Sequence, residues 1–134
     1  MENREVLLEQ VRRAYKARDA GLLDDLMAEC HPDVVFTLAG DQSASEMVGC
    51  MRGHFEVKQA AARLIDTFQF VQRDILTELV DQDRVAVRSR LTVRSCPTNM
   101  TRDTEIVDLF RIQDGKIVEL IEFADTALIK TMVS

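Results

Sequence analysis

The stretch Val107-Asp108-Leu109-Phe110-Arg111-Ile112-Gln113-Asp114-Gly115-Lys116-Ile117-Val118-Glu119 decides the fold. Asp-Gly between two alternating segments is the strongest short-range signal of a β-hairpin. It predicts strands over 102–112 and 116–123. Upstream, 70–80 and 84–95 are also strand-like, and Asp81-Gln82-Asp83 and Cys96-Pro97-Thr98-Asn99 separate the strands. The C-terminal half therefore reads as a meander of four long strands.

The N-terminal half has a different period. Leu8, Val11 and Tyr15 fall on one stripe of a helix over 4–18, with Arg12, Arg13, Lys16 and Arg18 on the wet side. A short second helix is expected over 22–29. His31-Pro32-Asp33 ends it, because the residue before proline is driven out of the helical region. The β-branched and aromatic run Val34–Leu38 reads as a strand, 39–46 as a loop and 49–53 as a short strand or an extension of that loop. Val57, Ala61, Leu64, Ile65 and Phe68 then mark a third helix over 54–66. Segregated helices and antiparallel strands imply α+β, one layer of helices on one curved sheet. With 134 residues, the chain is expected to form a single domain over 1–134.

Composition narrows the function classes. The formal net charge is -6 and no run of like charge occurs, which argues against a nucleic-acid partner. No apolar run approaches the roughly 20 residues of a membrane span, and the first residues are charged, so a cytoplasmic protein with no membrane partner is expected. Cys30, Cys50 and Cys96 are odd in number and widely spaced, which predicts reduced, mostly packed thiols. His31 and His54 have no ligand spacing, so no metal is expected. The chain has one tyrosine, Tyr15, and no tryptophan.

Two strand faces carry further information. Val85, Val87, Ser89, Leu91 and Val93 share one face of 84–95, while Arg84, Arg88, Arg90 and Arg94 share the other, which suits solvent or a subunit contact. In 102–112, Asp108 lies in an apolar row with Ile106, Phe110 and Ile112. A buried carboxylate must be paired, hydrogen-bonded or protonated.

The element order resembles the nuclear transport factor 2-like superfamily, within it the SnoaL-like polyketide cyclases and ketosteroid isomerase-like proteins. Tyr15…Asp19-Ala20-Gly21, Pro32-Asp33-Val34-Val35-Phe36, Arg52-Gly53, the hairpin above and Phe123-Ala124-Asp125 carry that resemblance. It implies a cystatin-like cone, a curved, mostly antiparallel sheet wrapped around three N-terminal helices. It also implies a small apolar molecule inside the cone and a homodimer through the sheet.

Tyr15 and Asp108 match the tyrosine and the protonated aspartic acid of the isomerase oxyanion hole, in which an apolar site keeps the acid neutral so that it can donate a hydrogen bond. The isomerase base position falls in Phe36-Thr37-Leu38-Ala39, which holds no acid. Asp125 resembles one of the aspartates of limonene epoxide hydrolase, and Arg88 and Arg90 lie on the strand that supplies its arginine. Asp125 and His54 are the candidates for moving a proton, with Phe36, Leu38, Phe55, Phe110 and Phe123 as candidate pocket lining. Two readings follow: a cofactor-independent isomerase, cyclase or hydratase using acid/base chemistry, and a non-catalytic ligand-binding or protein-interaction member of the same fold.

Overall fold

The computed structural model describes residues 3–134. Helix α1 spans Arg4–Asp19 and is capped by the Asn3 side chain, which accepts from the Glu5 amide at 2.8 Å. Lys16 and Arg18 in its last turn complement the helix dipole. Helix α2 (Leu23–Ala28) is followed at once by strand β1 (Cys30–Ala39) and by β2 (Gly49–Arg52). Helix α3 is His54–Thr67, and strands β3 (Phe68–Asp81), β4 (Arg84–Ser95), β5 (Thr101–Gln113) and β6 (Lys116–Phe123) follow. A last helix, α4, covers Thr126–Met132.

The strands form one six-stranded, unclosed sheet in the order β2-β1-β6-β5-β4-β3. The turn between β5 and β6 has positive φ at both Asp114 (52°) and Gly115 (74°), as the Asp-Gly reading requires. All neighbouring strands are antiparallel except β1 and β6, which run parallel. That pair closes the topology, because it places the N-terminal β1 beside the last strand. Gln10, 1% exposed, ties α1 to this seam through its side-chain amide, which donates to the Gly115 carbonyl at 2.7 Å.

The core lies between the concave face of the sheet and α1 to α3. Leu7, Leu8, Val11, Val85, Val87, Phe110 and Ile112 are all buried there. A second cluster, with Phe68, Leu91, Val93, Ile106 and Met132, continues it toward α4. Burying a large apolar side chain contributes about 1.5–3 kcal/mol each, so these rows hold α1 onto the sheet. The alternation read from 84–95 holds: its valines, Leu91 and Ser89 point in and are buried. Arg84, Arg88 and Arg90 point out and pair with Glu119, Glu105 and Asp103, while Arg94 donates to Gln69 and Asn99.

Two expectations need correction. Strand β1 begins at Cys30, not Val34, so His31-Pro32-Asp33 lies inside a strand. The pairing with β6 shifts between Cys30 and Val35, and this irregular stretch is where Pro32 sits, as expected of a residue without a ladder donor. The thiols are not mostly packed: Cys50 and Cys96 are exposed and only Cys30 is half-buried, with burial pushing its thiol up to about 11.

Candidate active site

Between the helices and the sheet lies a cavity of about 140 Å³. Most of its wall is apolar, including Phe36, Leu38, Leu91, Ile106, Phe110 and Met132. Its polar groups come from five places in the fold: Tyr15 and Arg18 of α1, Arg73 of β3, Thr104 and Asp108 of β5, Glu122 of β6, and Asp125 just ahead of α4.

Tyr15 and Asp108 meet inside it. The Tyr15 hydroxyl donates to Asp108 Oδ2 at 2.6 Å, a short bond. The two residues are 93 positions apart in the chain. Phe110, two residues along the same face of β5, packs edge-on against the Tyr15 ring with centroids 5.7 Å apart. The resemblance implies two donors converging on a ligand oxygen. Here the phenol donates to the acid instead, so a ligand would meet Asp108 as the end of a hydrogen-bonded chain.

Asp108 is 1% exposed, and its Oδ1 finds no donor among the described residues. The group across from it is Glu122, its register partner on β6. Burial first, then the nearby charge of Glu122, raise the Asp108 carboxyl well above the usual carboxylate range. The Tyr15 hydrogen bond and the charge of Arg73 oppose this rise. Tyr15 is pushed up as well, by burial first and then by the neighbouring Asp108, and so remains a neutral donor.

Sequence reasoning does not single out Glu122. Counting back from the Asp114-Gly115 turn pairs Asp108 with Ile121. A bulge between Arg111 and Ile112 shifts the ladder by one residue, which brings Glu122 opposite Asp108 and turns Ile121 to the other face. Arg73 escapes notice for the same reason. A bulge between Phe70 and Gln72 changes the inward set of β3, so Arg73 faces in opposite Leu91.

The remaining candidates scatter. Asp125 lines the cavity near α4 and caps that helix, accepting from the Leu128 amide at 3.0 Å. His54 lies apart: its Nε2 is 3.2 Å from the Met27 carbonyl, and it does not line the cavity. Phe36, Leu38 and Phe110 line the cavity. Phe55 and Phe123 do not, being 73% and 49% exposed. Phe55 sits in the first turn of α3, and Phe123 points to the outer face of the sheet beside Val107. Among the described residues no cluster of His, Cys, Asp and Glu could hold a metal ion, and no helix is long and apolar enough to cross a membrane.

A family model of the SnoaL-like domain matches residues 11–120. No curated protein matches the sequence. Among solved structures, a Bacillus subtilis protein provisionally assigned as an isomerase superposes with a TM-score of 0.89 at 13% identity, covering 100% of this chain and 98% of that one. An NTF2-like protein of unknown function from Burkholderia pseudomallei gives 0.85 at 20% identity, over 96% and 98%. A protein from Jannaschia sp., provisionally a SnoaL-like polyketide cyclase, gives 0.82 at 21% identity, over 100% and 98%. All three share the NTF2-like fold with this chain.

Proposed function

The chain belongs to the SnoaL-like domain family, and on that premise we propose that it binds an apolar, oxygen-bearing small molecule inside the cone and moves a proton on it. The reaction class is isomerisation, cyclisation or hydration, with the acid and base supplied by the chain's own side chains. The observation that carries this reading is the buried Asp108 carboxyl, whose Oδ1 has no donor among the described residues and whose register partner on the cavity wall is Glu122.

The roles follow from the hydrogen bonds. Tyr15 donates to Asp108, and a protonated Asp108 donates onward to a carbonyl or enolate oxygen of the ligand. Each donor in such a chain polarises the next, and a fixed donor aimed at a developing oxyanion contributes on the order of 3 kcal/mol. Glu122 takes the proton from carbon. It thereby fills the place of the base that Phe36-Thr37-Leu38-Ala39 lacks. Asp125, at the α4 end, is a third acidic side chain within the same cavity.

Proton exchange in heavy water tests this without knowledge of the natural substrate. An apolar enolisable ketone such as 2-tetralone should gain deuterium faster with the protein than in buffer. Glu122→Gln should slow that exchange by roughly 100-fold, the usual scale for a positioned base. An unchanged rate in Glu122→Gln contradicts the role given to Glu122.

A second reading, a non-catalytic binding member, draws on the outer face of the sheet. There Val107, Leu109 and Phe123 are 36%, 38% and 49% exposed and adjoin one another across β5 and β6. A second copy of the chain is the partner proposed for this face. Binding of 2-tetralone with no exchange above buffer would favour that reading.

A further inference from the structure

Arg73 is oriented more tightly than a cavity-wall residue needs to be. Its side chain is 7% exposed. Nε donates to Asp19 Oδ2 at 2.9 Å and Nη2 to Asp19 Oδ1 at 3.0 Å, a two-pronged clamp. Nη1 donates to Ser89 Oγ at 3.2 Å. With the guanidinium plane set from both sides, its Cζ stands 3.8 Å from the centroid of the Tyr15 ring. A cation over an aromatic face is attracted by the ring quadrupole, most strongly where water is absent.

We propose that Arg73 is a positioning residue for the cavity acid: held by Asp19 and Ser89, it pins the Tyr15 ring so that the phenol keeps its bond to Asp108, and its charge offsets that of Glu122. This rests on the reading of Tyr15, Asp108 and Glu122 as one proton-handling group. Around that group stand Arg18 and Asp19 of α1, Arg73 of β3, Glu122 of β6 and Asp125 ahead of α4. Arg18 differs from Arg73. It lies 3.8 Å over the Phe70 ring, and its Nη2 donates to the carbonyls of Leu64 and Phe68. Arg73 stands over the phenol itself, and its charge favours the ionised form of Asp108. It therefore keeps the Asp108 proton more mobile than burial alone would.

The lone phenol provides the test. With one tyrosine and no tryptophan, the long-wavelength near-ultraviolet circular dichroism and the tyrosine fluorescence report Tyr15 alone. In the wild type these signals should show a step with pH as Asp108 ionises, and Asp108→Asn should abolish it. Arg73→Met should move the step to higher pH and weaken the dichroism at every pH. Arg73→Lys should keep the step near its wild-type pH but still weaken the dichroism, because an ammonium supplies the charge without the flat stack. Should Arg73→Met fail to fold, Asp19→Asn replaces it: the unneutralised Arg73 should move the step to lower pH. A step that stays in place in the folded Arg73→Met, or in Asp19→Asn, overturns the role of Arg73 and leaves the acid reading standing. A step missing in the wild type, or surviving in Asp108→Asn, overturns both.

Discussion

Asp108 stands opposite Glu122, one residue from where the tight turn alone would place its partner. The bulge between Arg111 and Ile112 makes that difference, and it turns an acid–isoleucine pair into an acid–acid pair on the cavity wall. Bulges re-aim side chains at working sites in this way. The consequence is chemical. Two acids so placed disfavour ionising together, and burial with the nearby charge of Glu122 raises the Asp108 carboxyl above the usual carboxylate range.

The stability of the protein should record that proton. Asp108 has a raised folded-state pKa, so its favourable contribution is complete below the ordinary carboxylate range and is lost as pH rises through the folded value. Asn in its place can accept from Tyr15 and donate to Glu122 without that loss. Asp108→Asn should therefore match the wild type near about pH 3 and exceed it by a growing margin, read as a higher Tm, as pH rises to neutral. Thermal unfolding across pH checks this, and an Asn variant less stable at neutral pH than at acid pH, relative to wild type, would count against a protonated Asp108.

Tyr15→Phe removes the donor to Asp108 Oδ2 while keeping the edge contact with Phe110. The cost should be about 1–3 kcal/mol at neutral pH, the penalty of a buried acceptor left unmade. Exchange of 2-tetralone should fall as well, because the chain of donors then starts at Asp108. Denaturant unfolding and the exchange rate measure the two effects separately.

Filling the cavity should separate binding from folding. Ile106, of the second core cluster, lines it and is 4% exposed. Ile106→Phe adds volume into about 140 Å³ of open space. Binding of 2-tetralone should fall at least tenfold, with a stability change within about 1 kcal/mol. Titration calorimetry reads the first and thermal unfolding the second; undiminished binding would place the ligand elsewhere.

The outer face of the sheet gives a prediction about assembly. Leu109, 38% exposed and paired with Ile121 across β5 and β6, lies within the apolar area beside Val107 and Phe123. Leu109→Arg puts an unpaired charge at that area. Light scattering should find a dimer for the wild type and a monomer for the variant, and a monomeric wild type would remove this face as a subunit contact.

Much of this architecture is legible in the sequence because its signals are local. The Asp114-Gly115 turn, the alternation of 84–95 and the stripe through Leu8, Val11 and Tyr15 each involve neighbours a few residues apart. Asp108 is legible for a related reason, as a carboxylate in an apolar row. Its partner is not. Glu122 occupies a strand whose two faces both mix apolar and acidic residues, so no alternation marks which way it points. Arg73 is hidden likewise by two bulges in β3 that switch the inward set and then switch it back. Phe55 and Phe123 mislead in the opposite sense: aromatic side chains beside the expected pocket, turned to solvent by where the helix begins and by the register.

The central claim is that Asp108 carries a proton at neutral pH and offers it to the cavity. The infrared difference spectrum between the wild type and Asp108→Asn at neutral pH measures this most directly. It should contain the carbonyl stretch of a protonated carboxyl in the wild type, shifted by deuteration and further shifted when Tyr15→Phe removes its hydrogen bond. A spectrum showing only the loss of an ionised carboxylate would contradict the account.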